Sequence, residues 1–239
     1  MMNSRQSPFA NLTPVVKNLL IINLICFLPF IVLSDHNYQI LTNWVGLSYF
    51  NSPNFKAWQF VTYMFFHGGW QHILFNMFAL FSFGPILEYT IGPKRFLNLY
   101  FICGIGAGIL QVTVQAFAVH SLIGAFTIPL PTLDESYLQA AGANAQTLYN
   151  MYHVPVIGAS GAIFGLLVAF GMLFPNMELM MLFIPVPIKA KYLIIFYILL
   201  ELYLGFGQFA GDNVAHFAHI GGALFGFILI KAWGLRRLQ

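Results

Sequence analysis

Apolar residues run along this chain in blocks too long for the faces of soluble helices. They fall at about 14–34, 70–89, 96–117, 155–174, 192–207 and 214–233, separated by shorter polar stretches. A helix needs roughly 20 apolar residues to cross the hydrocarbon core of a bilayer. The pattern therefore predicts an all-α integral membrane protein, a bundle of six transmembrane helices forming one domain over residues 1–239. The first block is longer than a signal-peptide core and has no small-residue cleavage site, so it is expected to be retained. Thr13-Pro14 suits its start, with a capping hydroxyl followed by proline in the first turn.

Composition sharpens the assignment. Hydrophobic residues make up 59% and charged residues 7% of the chain, against about a quarter charged in ordinary soluble domains. The net charge of +3 comes from residues scattered at span ends, so nucleic acid is not an expected partner. Cys26 and Cys103 lie within apolar runs and read as small hydrophobes, with no disulfide or metal site implied.

The basic residues also orient the bundle. Arg5, Lys17, Lys94, Arg95, Lys189, Lys191, Lys231, Arg236 and Arg237, nine of the ten, fall at the two termini and in the second and fourth loops; Lys56 alone falls on the other side. Cytoplasmic loops are enriched in Lys and Arg, so both termini are expected in the cytoplasm. The long first outer loop, 35–69, is rich in aromatics such as Trp44, Trp58 and Phe60 and suits a segment resting in the interface. The other long outer loop, about 118–154, contains Asp134, Glu135 and the small run Gly142 to Ala145, and offers no chemical motif.

Polar groups at membrane depth are costly and mark function. His72 and Asn76 lie four apart at the start of the second span, on one helix face. The fourth span opens Gly158-Ala-Ser160-Gly161, and the sixth contains His216 and His219. With the predicted topology these three spans all begin on the outer side, so the polar residues share one shallow layer. A serine hydroxyl attacks a carbonyl when an imidazole takes its proton. Ser160 is the candidate nucleophile and His219 the base, with His216, one turn earlier, as the competing base. His72, Asn76 and the Ser160 backbone N–H are of the kind that stabilises an oxyanion. Taken alone, Ser160 would read as a packing serine. Gly158 and Gly161 bracket it, and Gly161 with Gly165, and Gly222 with Gly226, are small residues four apart that let helices touch. Spans four and six are thus expected to pack directly.

Other polar residues are read differently. No carboxylate adjoins His219 in sequence, and Asp212 reads as a solvent-facing or helix-starting residue, so a dyad is expected. Glu201, within span five, is expected to be protonated or hydrogen-bonded and outside the catalytic set. Glu88 is expected to meet Lys94, Arg95 or water, and His67 to pack in the loop or interface.

Together these residues resemble the rhomboid family of intramembrane serine proteases. The resemblance rests on His72-x-x-x-Asn76 in span two, Gly158-x-Ser160-Gly161 in span four, and Ala218-His219 with Gly222 and Gly226 in span six. It implies a basic six-span bacterial form with a Ser160–His219 dyad, oxyanion stabilisation by His72 and Asn76, and no cofactor. It also implies transmembrane protein substrates entering laterally near spans two and five. One departure is Trp58-Gln59, where many members have Trp-Arg, at a loop-shaping contact. The rival readings are a non-proteolytic relative that binds membrane clients and a metal transporter using His67, His72, His216 and His219. The expected location is a bacterial inner membrane.

Overall fold

A computed structural model describes residues 12–128, 143–181, 184–207 and 214–237; Arg5, Asp134, Glu135, Gly142 and Asp212 lie outside them. The helices are α1 (Pro14–Val32), α2 (Asp35–Val45), α3 (Gln59–Thr62), α4 (Trp70–Ile91), α5 (Pro93–Ile123), α6 (Ala143–His153), α7 (Ser160–Leu173), α8 (Ala190–Gly207) and α9 (His216–Ala232). A short antiparallel hairpin, β1 (Glu178–Met181) and β2 (Ile184–Lys189), joins α7 to α8.

Helices α1, α4, α5 and α8 are long and apolar enough to cross a membrane. Their outward side chains include Leu74, Phe196, Leu199 and Tyr203, each more than half exposed. Such a surface is an aggregation liability in water and is well solvated by lipid. In α7 and α9, which have 14 and 17 residues, the rise of about 1.5 Å per residue gives roughly 21 to 26 Å. That is short of a hydrocarbon core about 30 Å thick.

Helices α5, α7 and α9 pack most closely against one another and form the centre of the bundle. Lipid supplies no hydrophobic drive to bring helices together, so close approach depends on small residues. A methyl group on Gly226 would lie 2.5 Å from the Gly165 carbonyl oxygen, and one on Gly161 would lie 2.5 Å from Ala107 Cβ. Cys103, fully buried on α5, sits against Gly165.

Three local expectations change. The loop 35–69, expected to rest in the interface, contains the helices α2 and α3 joined by a non-helical stretch: Ser34 accepts the Asn37 N–H to start α2, and Trp44 stacks on Trp58 at 5.9 Å. At the departure from Trp-Arg, Gln59 is fully buried and shapes this segment itself. Its amide accepts from the Ser48 and Lys56 N–H groups and donates to the Asn43 and Asn54 carbonyls. Helix α5 runs on to Ile123, ending at Gly124 in the left-handed conformation. The third change is at α1, where the Thr13 hydroxyl makes no capping bond. Glu88 of α4 does this work from across the bundle, accepting the Val15 and Val16 N–H groups at 3.0 and 2.9 Å. A carboxylate suits the positive end of a helix, and here it replaces the expected contact with Lys94 or Arg95.

Candidate active site

The segment before α7 is held extended, so the helix starts at Ser160 and not at Pro155. Leu47 and Val156 exchange backbone hydrogen bonds of 2.8 Å in both directions, and the Gly158 N–H donates to the Tyr63 carbonyl at 2.9 Å. Tyr63 is anchored by its hydroxyl, which donates to the Gly104 carbonyl of α5 at 2.6 Å. Gly158 has φ of +141°, a conformation that side-chain-bearing residues rarely adopt. A Cβ there would also lie 2.6 Å from His72 Nε2. Glycine thus lets the loop pass beside the His72 ring and set Ser160 as the first residue of α7. At that position the backbone N–H groups of Ser160, Gly161 and Ala162 precede the first donor bonded within the helix, Ile163 to Ala159. Free N–H groups at a helix start favour negative charge.

Across the α7–α9 contact, His219 Nε2 lies 2.7 Å from Ser160 Oγ. His219 is 8% exposed, and its ring stacks flat on Phe164, one turn after Ser160, with centroids 4.4 Å apart and planes 7° from parallel. For Nε2 to accept from the serine hydroxyl, the neutral ring carries its proton on Nδ1. That nitrogen lies 2.9 Å from Glu201 Oε2. The distance is an ion-pair distance, but the N–H direction is bent away from hydrogen-bond alignment. The same Glu201 oxygen is hydrogen-bonded to His216 Nδ1 at 2.6 Å.

The remaining predicted residues lie on α4. The Gly68 N–H points at His72 Nδ1 at 3.4 Å, a long bond that favours the tautomer with its proton on Nε2, facing Gly158. Asn76 is one turn further along the same face, 5% exposed, and its side-chain N–H₂ group has no hydrogen-bond partner among the described residues. His67 is fully buried, its ring edge-on to His72 with centroids 5.0 Å apart.

The four histidines of the transporter reading do not make up one metal-holding group. Among the described residues, the group able to surround a metal ion is Glu201, His216 and His219, while His67 and His72 pair with each other. Glu201 is the site residue that sequence reasoning left aside. The signal available was the cost of a carboxyl group in an apolar span, with two histidines near the start of the next span as possible partners.

A family model for the Rhomboid domain matches residues 54–236. The chain is 31% identical over 147 residues to Rhomboid-like protein 16, chloroplastic, of Arabidopsis thaliana, covering 60% of this chain and 45% of that protein. It is 33% identical over 97 residues to the putative rhomboid protease YdcA of Bacillus subtilis, covering 41% of this chain and 48% of that one. It is 30% identical over 178 residues to rhomboid protease GluP of the same organism, covering 74% and 26%. The chain thus spans less than half the length of each of these relatives. The match takes in most of the chain, including Ser160, His219 and the motifs of α4, α7 and α9, and it falls on a mostly helical body with an apolar, lipid-suited surface, so the chain is an integral membrane protein belonging to the rhomboid family.

Proposed function

We propose that the chain is an intramembrane serine endopeptidase that cuts transmembrane or juxtamembrane segments of membrane proteins with Ser160 as nucleophile and His219 as base. The observation that carries this reading is the 2.7 Å contact between His219 Nε2 and Ser160 Oγ. Ser160 Oγ adds to the scissile carbonyl carbon as its proton passes to His219 Nε2. The oxyanion that forms is met by the Ser160 backbone N–H, the His72 ring N–H and the Asn76 amide. His219 then protonates the leaving nitrogen, the C–N bond breaks, and an ester to Ser160 remains. Water, deprotonated by the same imidazole, attacks that ester and releases the acid and the free serine.

The nucleophile heads a helix too short to cover the hydrocarbon core, which favours a reaction just inside the membrane with water reaching it from one side. The distribution of Lys and Arg makes that side the outer one, with six spans and both termini cytoplasmic. The relatives come from bacteria and from organelles, and the enzyme works as an integral protein of a cellular membrane. Glycines 158, 161, 165, 222 and 226 serve by permitting the approach of α7 to α9 and to the loop beside His72.

The test is cleavage of a transmembrane substrate in proteoliposomes. Ser160→Ala and His219→Ala each abolish cleavage while the protein stays folded, and a fluorophosphonate labels Ser160 in the parent alone. Cleavage that survives either substitution excludes the mechanism.

A further inference from the structure

We infer that Glu201 is a positioning residue for the catalytic imidazole, making the working unit Ser160–His219–Glu201 with His216 as the clamp on the carboxylate. The inference rests on the protease reading of Ser160 and His219. Sequence alone suggested a dyad, because the carboxyl group comes from a different span, 18 residues before His219.

The geometry is a continuous line of contacts. Ser160 Oγ lies 2.7 Å from His219 Nε2, His219 Nδ1 lies 2.9 Å from Glu201 Oε2, and that oxygen lies 2.6 Å from His216 Nδ1. Glu201 and both histidines are largely buried, with side-chain exposures between 8% and 12%. A carboxylate beside Nδ1 performs two services for a base. It holds the ring in the tautomer that leaves Nε2 free to accept the serine proton, and it stabilises the imidazolium formed when that proton arrives. The His219–Glu201 contact is close but bent, and such contacts commonly tighten in the substrate complex. His216 fixes the carboxylate against rotation through its bond to the same oxygen. Phe164 closes one face of the His219 ring, leaving Glu201 to define its rotation.

The same three side chains could be read as a cation site. Against that, the carboxylate oxygen touches both imidazoles directly, at 2.6 and 2.9 Å. A zinc ion would stand between its ligands, about 2.0 to 2.2 Å from each. The contacts suit a carboxylate that has the histidines themselves as partners.

The deciding measurement uses the full chain in proteoliposomes with a transmembrane substrate, alongside fluorophosphonate labelling of Ser160. Glu201→Gln is expected to lower kcat at least about tenfold, a fraction of the roughly hundred- to ten-thousandfold that general-base catalysis contributes as a whole, with KM changed less than twofold. The labelling rate of Ser160 falls in parallel, and thermal unfolding is retained. Glu201→Asp keeps the negative charge one methylene further away and recovers part of the lost kcat. Chelators leave the parent activity unchanged. The inference is overturned if Glu201→Gln keeps kcat and labelling within twofold of the parent, if Asp and Gln are equally impaired, or if chelation removes activity. A parent in which Ser160 is never labelled removes the protease reading itself; a labelled, active Glu201→Gln removes only the role of Glu201.

Discussion

Gly222 of α9 faces Gly161 of α7 so closely that a side chain on Gly222 would collide with the Gly161 carbonyl. Three residues from Gly222 is His219, and immediately before Gly161 is Ser160. The glycine contact therefore sets the separation between nucleophile and base as much as it sets the packing of two helices.

Gly222→Ala should consequently injure both stability and chemistry. The methyl group has a carbonyl oxygen against it rather than a yielding side chain, so the helices must separate. We expect a destabilisation of about 1 to 3 kcal/mol, the range for overpacking a well-filled contact. We also expect a disproportionate loss of kcat, because a small displacement of reacting groups can cost about a hundredfold. Thermal unfolding in detergent and the rate of substrate cleavage by the folded fraction check the two effects. Unchanged values of both would show that α7 and α9 are not held at this contact.

Much of this arrangement was legible in the sequence because it depends on residue type and local spacing. Glycines four apart announce a close helix contact, and polar residues near the starts of apolar spans announce a buried site. The unread parts depended on groups brought from far along the chain. Thr13 looked like the natural cap of α1, yet Glu88, more than 70 residues away, accepts the first-turn N–H groups. Glu201 carried no neighbouring motif, and only the packing of α8 beside α9 shows what it meets. Apolar residues continue upstream of Ser160 as far as Pro155, so the pattern alone starts α7 there. Backbone pairing of Val156 with Leu47 holds those residues extended.

Glu88 supplies a prediction that separates folding from catalysis. It is 2% exposed and lies 16 residues after His72, about 24 Å along α4 at the ordinary helical rise. Hydrogen bonds to charged groups contribute about 1.5 to 3 kcal/mol each. Glu88→Ala leaves two N–H groups of α1 without their acceptor, and we expect a loss of about 3 to 6 kcal/mol in unfolding free energy. Cleavage per folded molecule should stay near the parent value. A folded Glu88→Ala protein with parent stability would mean that α1 does not depend on this cap.

His67 gives the pH dependence of stability a specific source. Burial first, and the neighbouring His72 ring second, push the His67 imidazole down to about 3, from an ordinary value near 6.5. The groups that face it are His72 of α4, in edge-to-face contact, and Tyr38 of α2, whose hydroxyl donates to the His67 carbonyl at 2.8 Å. The unfolded chain therefore binds a proton at this residue between about pH 6.5 and 3 that the folded chain refuses. Stability from this residue is fully present above pH 6.5 and declines as the pH falls towards 3. Between pH 7 and 4.5 the loss should be about 2 to 3 kcal/mol, since each unit of difference corresponds to about 1.4 kcal/mol. His67→Gln keeps a polar side chain of similar reach without the titration, so its unfolding temperature should fall less steeply over the same interval. The other side chains are common to both proteins, which makes the difference between the two curves the quantity to read. Parallel curves would show that His67 takes up its proton in the folded state as easily as in the unfolded one, and that its burial is relieved on protonation.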